Sequence, residues 1–520
     1  MKSLSRNFLA ITIAVLCGQP ILAANDCSSV TALNRVNGVT INSAKWVAGN
    51  SLVLTDSSTG AKLPNEYPFC RIHGAIAYAG NNSLRFELWL PENKSYNGRY
   101  MATGNGGLAG TIDTSSMMQS LNRGYAVAAG DSGHNEASNG NGTTQPEQYI
   151  PFLHSKSQTK AWIHDSIAKL TPPTRNLTMR YYGSAPRFSY FSGCSTGGAQ
   201  GFALAQFHPE LFDGIYAGSP GNWYSHLILA FLWNARHSRD AAFLDQATLN
   251  FTTNAILSHC DGLDGVVDGL IENPLKCSFN ITSFACHGSS QSSRKSGKCL
   301  TNPQIAAINA IYQGPRDSRT GQSIYPGYTL GSEKQWLLQE TSLYLNYSTP
   351  ILQNLVFRNL SFDTDKFDFG ADVDAVDTCA SPLIDAITTD LSAFRRRGGK
   401  MVVTQGWTDP YNGALWPIRH LEQLQKTEAN GRVPDFLNLY MIPGGGHCGP
   451  ASFFPSAPST YHVDSALRAW VENDTFPEHI ITSRPLDGSR RTRKLCPWPQ
   501  SARLKGHGAD SDDAASFVCA

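Results

Sequence analysis

Short apolar stretches alternate with polar turns over residues 45–103. The clearest apolar stretches are 75–78, 84–90 and 100–102, and each has the length of a single strand. We therefore expect this part of the chain to form the first strands of an open sheet.

Predicted strands and helices then alternate. Residues 125–129 and 188–191 predict strands, 159–170 predict an amphipathic helix between them, and 199–207 predict a helix after the second strand. Residues 212–220 add a further strand with its loop. Such alternation is typical of an α/β domain.

Residues 221–388 interrupt this pattern, because they are irregular, rich in aromatic residues and cysteines, and helical only in pieces such as 303–311. Alternation resumes with a short helix at 391–397 and strands at 400–404 and 436–442. One α/β domain with a large insertion is predicted.

The charge balance excludes some classes of partner. The net charge is +1 at pH 7, and charged residues make up 16% of the chain against roughly 25% in average proteins. A nucleic-acid-binding surface is not expected, and a neutral or apolar ligand is favoured.

Two basic residues precede the apolar run 8–17 and two alanines follow it, which predicts a signal peptide over residues 1–24. That run is too short to span a membrane, so we expect a secreted chain without a membrane partner.

Eleven cysteines follow the predicted signal peptide. In an exported chain they indicate disulfides, and their odd number leaves one unpaired. Spacing suggests local pairs but does not establish them: Cys260 with Cys277, Cys286 with Cys299, and Cys496 with Cys519. A eukaryotic cell could glycosylate the sequons at Asn81, Asn93, Asn141, Asn176, Asn250, Asn280, Asn346, Asn359 and Asn473.

A Gly-x-Ser-x-Gly motif surrounds Ser195, between the predicted strand 188–191 and the predicted helix 199–207. In this setting the motif is typical of a nucleophile elbow, whose small neighbours allow a strained turn. The Gly-x-Ser-x-Gly pattern also arises by chance, so the assignment needs a histidine and a carboxylate elsewhere in the chain that could activate the serine.

Two residues at the ends of predicted strands could activate this serine. Asp409 follows the strand at 400–404, and His447 follows the strand at 436–442. The order Ser, Asp, His is that of a hydrolase triad, although either loop residue alone would usually be a turn former or a solvated side chain. The glycine-rich run 104–110 is either a flexible loop or the source of an oxyanion-hole amide.

The segment 260–270 concentrates three carboxylates, Asp261, Asp264 and Asp268, among glycines. Such a cluster is either a solvated acidic turn or a site for a hard cation such as Ca²⁺. It is not an EF-hand, because the spacing differs and the terminal Glu is absent.

These motifs together resemble the tannase and feruloyl esterase family, in which the cysteines beside the nucleophile and the catalytic histidine are bonded to each other. The similarity extends over most of the chain and includes the segments 97–99, 130–134, 212–214, 396–400 and 496–499. The resemblance implies an α/β-hydrolase fold with a catalytic domain at 25–220 and 389–520 and an inserted lid domain at 221–388. Ala199 departs from the family, where arginine is common.

The resemblance also assigns roles. Ser195, Asp409 and His447 would form the triad, and the amides of Thr196 and Gly107 the oxyanion hole. Structural calcium in the lid would take carboxylates from Asp261, Asp264 and Asp268 and carbonyls from Val266 and Leu270, and no organic cofactor is implied. The implied disulfides are Cys27–Cys70, Cys194–Cys448, Cys260–Cys277, Cys286–Cys299 and Cys496–Cys519, which leaves Cys379 unpaired.

The expected function is a secreted serine esterase acting on small esters of phenolic acids, above all hydroxycinnamates, free or attached to plant polysaccharide. Alternatives with the same chemistry are a tannase and a hydrolase of the mono-(2-hydroxyethyl) terephthalate type. An inactive binding module or a peptidase is also conceivable on this fold. The sequence does not determine the oligomeric state, the source organism or the role of His134, which we expect to line or support the pocket.

Overall fold

The computed structural model describes residues 27, 28, 30, 38–56, 59–140, 145–286, 299–427, 432–506 and 508–520. The predicted signal peptide and the sequon at Asn141 lie outside these residues. The strands, in chain order, are β1 Val39–Val47, β2 Val53–Thr55, β3 Lys62–Pro64, β4 Phe69–Tyr78, β5 Asn82–Pro91, β6 Arg99–Thr103, β7 Ala126–Gly130, β8 Phe188–Cys194, β9 Gly214–Gly218, β10 Lys400–Gly406, β11 Leu437–Ile442, β12 Pro458–Tyr461, β13 Ile480–Pro485, β14 Arg493–Leu495, β15 Ala502–Leu504 and β16 Phe517–Cys519.

The α-helices of eight or more residues are Thr114–Leu121, Ser166–Tyr182, Thr196–Phe207, Tyr224–His237, Gln246–Cys260, Asn302–Gln313, Ala371–Cys379, Leu415–Thr427 and Val463–Asn473. Shorter ones are Pro151–His154, Lys156–Lys160, Leu337–Thr341, Thr349–Ile351, Ser381–Ile384 and Ser392–Arg396. In the described part of the chain, no helix is both long and apolar enough to cross a bilayer.

The largest sheet in the described residues has nine strands, in the order β1-β4-β5-β7-β6-β8-β9-β10-β11. The pairs β1–β4, β4–β5 and β5–β7 are antiparallel, and the neighbours from β7 to β11 are parallel. This is the mixed α/β sheet of an α/β-hydrolase fold. The carboxyl ends of the parallel strands meet at one edge, where ligands bind in open α/β sheets.

Alternate side chains of the parallel strands enter two cores. In β6, Tyr100 and Ala102 pack on one face and Met101 on the other. In β10, Met401 and Val402 divide in the same way. Because helices cover both faces, these strands are mostly buried and appear in the sequence as apolar runs.

The helix expected over 159–170 is longer and interrupted. Helix Lys156–Lys160 leads into a π-turn at Ala161–Asp165, and Ser166–Tyr182 then passes through Pro172 and Pro173. Prolines inside a helix cost backbone hydrogen bonds. The helix nevertheless continues because its buried face packs on the sheet, and tertiary packing supplies most helix stability.

Residues 219–399 leave the sheet after β9 and return at β10, the neighbouring strand. The inserted segment, which we define as residues 221–388, has a hydrophobic core of its own around helix Asn302–Gln313 and Trp336. The segment therefore packs partly on itself, while its later residues, such as Ile351 and Ile384, belong to the larger core of the molecule.

Five disulfides join the pairs that the family resemblance implies: Cys27–Cys70, Cys194–Cys448, Cys260–Cys277, Cys286–Cys299 and Cys496–Cys519. Cys379 is exposed and has no disulfide partner within the described ranges.

Candidate active site

Ser195 lies between the last residue of β8 and the first residue of helix Thr196–Phe207. That helix begins three residues earlier than expected. Its backbone has φ 62° and ψ −120°, which an L-residue rarely adopts. The neighbours must be small: a β-carbon on Gly193 would lie 2.5 Å from the Gly197 carbonyl oxygen, and one on Gly198 would lie 2.5 Å from the Gly218 carbonyl oxygen. The local sequence thus produces a tight turn with a half-buried serine at its apex.

Asp409 and His447 form a hydrogen-bonded pair at the ends of two neighbouring strands, β10 and β11. Nδ1 of His447 lies 3.0 Å from both carboxylate oxygens of Asp409. The Asp409 side chain is fully buried, and that of His447 is 17% exposed. Since a carboxylate can only accept, Nδ1 carries a proton, and in the neutral form of the imidazole Nε2 is the nitrogen that can accept one.

The buried carboxylate of Asp409 is satisfied by hydrogen-bond donors. Oδ1 accepts from the backbone amides of Tyr411 at 2.8 Å and Asn412 at 3.0 Å, and Oδ2 accepts from Nε2 of Gln405 at 3.1 Å. The ring of Tyr411 stacks on the imidazole of His447, with centroids 4.4 Å apart. The imidazole is therefore held at Nδ1 and on one ring face.

A disulfide connects the serine turn to the histidine loop. Cys194 immediately precedes Ser195, Cys448 immediately follows His447, and their Cα atoms are 5.8 Å apart across the bond. The serine and the histidine are thereby brought to adjacent positions at the sheet edge, although 252 positions separate 195 from 447 in the sequence.

The glycine-rich loop lies beside the serine turn. Gly107, at φ 52°, accepts hydrogen bonds at its carbonyl oxygen from the Thr196 hydroxyl at 2.8 Å and from Nε1 of Trp162 at 3.2 Å. Among the described hydrogen bonds, neither the backbone N–H of Gly107 nor that of Thr196 has an acceptor. Two free amide donors are thus present on the two segments that flank the serine.

Gln200 fastens this loop to the helix that follows Ser195. Its Oε1 accepts from the Asn105 amide at 3.0 Å, and its Nε2 donates to the Trp162 carbonyl at 2.8 Å and to Oδ1 of Asn105 at 3.2 Å. Gln200 is fully buried. The sequence analysis does not single it out, although a glutamine amid the small and apolar residues 197–205 is an available signal.

His134 supports the glycine-rich loop and contacts none of the three triad candidates through a described hydrogen bond. Its Nε2 lies 2.7 Å from the Leu108 carbonyl oxygen, and its ring stacks on Phe152 at 3.9 Å. Burial lowers the pKa of His134 to about 4. It is therefore neutral at pH 7, with Nε2 donating to the loop.

Ala199, the position where the family resemblance implies an arginine, is fully buried.

The acidic segment 261–270 forms a tight loop, closed at its base by Cys260–Cys277. Asp261 accepts from the amides of Asp268 and Gly269 at 3.1 Å and 2.9 Å, and Oδ2 of Asp268 faces the Arg493 guanidinium. Burial raises the pKa of Asp264 to about 6, and the neighbouring carboxylate of Asp268 adds to this effect.

The donor types of this loop fit a hard cation, because Val266 and Leu270 are buried and their carbonyl oxygens accept no hydrogen bond within the described residues. The carboxylates, however, do not converge. Over the described ranges, no three His, Cys, Asp or Glu side chains are gathered closely enough to hold a metal ion.

Comparison with known proteins agrees with this architecture. The family model described as tannase and feruloyl esterase matches residues 70–520. An uncharacterised esterase of Xanthomonas campestris pv. campestris is 32% identical, over 96% of this chain and 91% of the relative. A probable feruloyl esterase B-2 of Aspergillus oryzae is 29% identical over 99% of both chains.

The crystal structure of an esterase from Aspergillus oryzae matches with a TM-score of 0.84 at 27% identity and covers 95% of this chain and 99% of that one. The chain belongs to the tannase and feruloyl esterase family and is a carboxylic ester hydrolase.

Proposed function

We propose that this protein is a serine esterase that hydrolyses esters of phenolic acids, with Ser195 as nucleophile, His447 as general base and Asp409 as the group that orients it. One observation carries the proposal: the Asp409–His447 pair is joined through Cys194–Cys448 to a strained serine turn. A serine hydroxyl is a weak nucleophile until an imidazole removes its proton.

In the acylation step, Nε2 of His447 takes the proton of the Ser195 hydroxyl as Oγ bonds to the ester carbonyl carbon. The imidazolium that forms is stabilised by the carboxylate of Asp409, whose two oxygens lie 3.0 Å from Nδ1. Collapse of the tetrahedral intermediate breaks the bond to the alcohol oxygen, which leaves with the proton from Nε2.

Water then completes the reaction. Nε2 of His447 takes a proton from the water as its oxygen bonds to the acyl carbon, and the bond from that carbon to Ser195 breaks. Ser195 recovers its proton, and the phenolic acid is released. Each cycle consumes one water and restores the enzyme without an organic cofactor.

The amides of Gly107 and Thr196 stabilise the oxyanion of both intermediates in this proposal. Support comes from these two N–H groups beside the serine turn, which have no acceptor in the described part of the chain. Donors already in place at the site of developing charge typically contribute about 100- to 1,000-fold to kcat each.

We favour hydroxycinnamate esters, free or attached to plant polysaccharide, as the substrates. The support is the feruloyl esterase name of the 29%-identical relative, together with aromatic side chains beside the triad, such as Tyr411. A flat ring with a few polar substituents suits an aromatic-lined pocket with few charges.

Secretion is part of the proposal. The signal-peptide pattern and five disulfides are what an exported enzyme needs, because disulfides persist in oxidising compartments. The sequons would be glycosylated where the host has that machinery.

We also propose structural calcium in the loop 261–270, with carboxylates from Asp261, Asp264 and Asp268 and carbonyls from Val266 and Leu270. The carbonyls that accept no described hydrogen bond and the donor chemistry support it, and the three carboxylates, which are not gathered in this structure, would have to close around the ion. The ion would neutralise the clustered carboxylates, and no step of the reaction would use it.

The test is a comparison of kcat/KM for methyl ferulate, methyl caffeate, methyl gallate, mono-(2-hydroxyethyl) terephthalate and a long-chain aliphatic ester. The proposal expects the hydroxycinnamates to exceed the others by about tenfold or more, which equals about 1.4 kcal/mol of transition-state binding. A comparable preference for gallate would indicate a tannase, and one for the aliphatic ester would refute the aromatic-acid assignment. Ser195→Ala is the matched inactive control, and residual activity of a tenth or more in that variant would refute the nucleophile.

A further inference from the structure

Gly107 is approached by aromatic side chains from two different segments. Nε1 of Trp162 donates to its carbonyl oxygen at 3.2 Å. The hydroxyl of Tyr347, from the inserted segment, would lie 3.3 Å from a β-carbon built on Gly107. The absence of a side chain at position 107 is therefore what allows this hydroxyl to come so close to the backbone of the glycine-rich loop.

Both aromatic residues lie on π-turns, at Ala161–Asp165 and Tyr344–Ser348. A π-turn adds a residue to a helical turn and redirects the side chains, and such turns are frequent at functional sites. The second turn is held in place, because the Ser348 hydroxyl donates to the Ile228 carbonyl at 2.6 Å.

The Tyr347 ring packs against Phe231, with centroids 5.9 Å apart. Its side chain is half-buried, and its hydroxyl makes no hydrogen bond within the described residues. A tyrosine with an apolar ring surface and a polar end usually finds a partner for that end. Burial raises the pKa of Tyr347 to about 12, with a smaller contribution from Tyr411. The hydroxyl therefore remains a protonated donor over the whole range in which the enzyme would work.

We propose that the Tyr347 hydroxyl is a third hydrogen-bond donor to the ester oxygen that becomes negatively charged, beside the amides of Gly107 and Thr196. The inference rests on the proposed serine esterase function. It gives the inserted segment a direct contact with the reacting atoms.

The position of the hydroxyl argues for the reacting end of the substrate. In a hydroxycinnamate, the ring hydroxyl is separated from the acyl carbon by the propenoyl group and the whole ring. A group beside Gly107 would therefore meet the carbonyl oxygen and not the substituents of the ring. The contribution of Tyr347 should be the same for every acyl group.

The test is Tyr347→Phe, which removes only the hydroxyl. Tyr344→Phe is the matched control, because it makes the same change on the same π-turn, where the Tyr344 ring faces Arg239 and not Gly107. Both variants are measured with methyl ferulate, methyl cinnamate and p-nitrophenyl acetate, after their melting temperatures have been compared with that of the wild type. We expect Tyr347→Phe to lower kcat by about 10- to 100-fold on all three esters, with KM changed less than about twofold.

Three results would overturn the inference: a kcat equal to that of Tyr344→Phe, a loss confined to methyl ferulate, or a change in KM alone. A loss confined to ferulate would assign Tyr347 to recognition of the ring hydroxyl. Because p-nitrophenyl acetate and methyl cinnamate have no phenolic acid hydroxyl, the test still works if the wild type prefers other esters. Failure of the phenolic-acid assignment and failure of this inference are therefore distinguishable.

Discussion

Replacing Asp409 by asparagine should abolish nearly all activity while leaving the fold intact. The backbone amides of Tyr411 and Asn412 donate to Oδ1 of Asp409 at 2.8 Å and 3.0 Å. These two donors determine where the amide oxygen of the new side chain must lie. Its NH₂ group then takes the place of Oδ2, opposite Nε2 of Gln405 and Nδ1 of His447.

The consequence is a change of tautomer. An N–H opposite Nδ1 requires that nitrogen to accept, so the imidazole proton moves to Nε2 of His447, the nitrogen that must receive the serine proton. The same replacement in a serine protease triad lowers kcat about 10,000-fold. That factor corresponds to about 5.5 kcal/mol in the activation free energy.

The assay is kcat and KM for methyl ferulate at several pH values between 6 and 9. The control is Asp464→Asn, which alters a carboxylate that accepts from the Tyr125 hydroxyl at 2.8 Å, in a different part of the molecule. We expect the control to retain nearly full activity. If Asp409→Asn kept more than about a tenth of wild-type kcat, or changed only KM, the orienting role would be refuted.

Three further predictions concern stability. Replacing Cys194 and Cys448 together by alanine should lower the melting temperature and kcat, because the disulfide joins the serine turn to the histidine loop. The bond spans a sequence separation of 254 residues, and closing a loop of that length is worth about 5 kcal/mol in the chain-entropy model. An unchanged melting temperature and kcat would contradict this role. Chelation should lower the melting temperature and speed proteolysis of the inserted segment. If elemental analysis showed that the calcium was gone while neither the melting temperature nor the rate of proteolysis had changed, the structural role of the ion would be disproved. Burial raises the pKa of Glu340 to about 8, whereas the unfolded chain releases this proton near pH 4.5. Because the folded state binds the proton more tightly, the free energy of unfolding should fall as the pH rises from 5 to 8. Glu340→Gln should flatten that decline in thermal unfolding, by an amount on the order of a few kcal/mol, whereas parallel pH profiles for both proteins would show that Glu340 does not cause it.

The sequence determined the features that depend on neighbouring residues. The strained turn at Ser195 follows from Gly193 and Gly198, where a β-carbon would meet backbone atoms within 2.5 Å. The buried parallel strands appear as apolar runs, and the residues after them, Asp409 and His447, meet at one edge because parallel strands end on the same side.

The tertiary structure alone decided the contacts between distant segments. Periodicity predicts which face of an element is buried, but it does not give the distance between two side chains on different elements. The clamp that Gln200 forms on the glycine-rich loop and the approach of Tyr347 to Gly107 both depend on how helices and π-turns pack on the sheet. Helix Ser166–Tyr182 continues through Pro172 and Pro173 for the same reason. Its burial against the sheet outweighs the tendency of proline to end a helix.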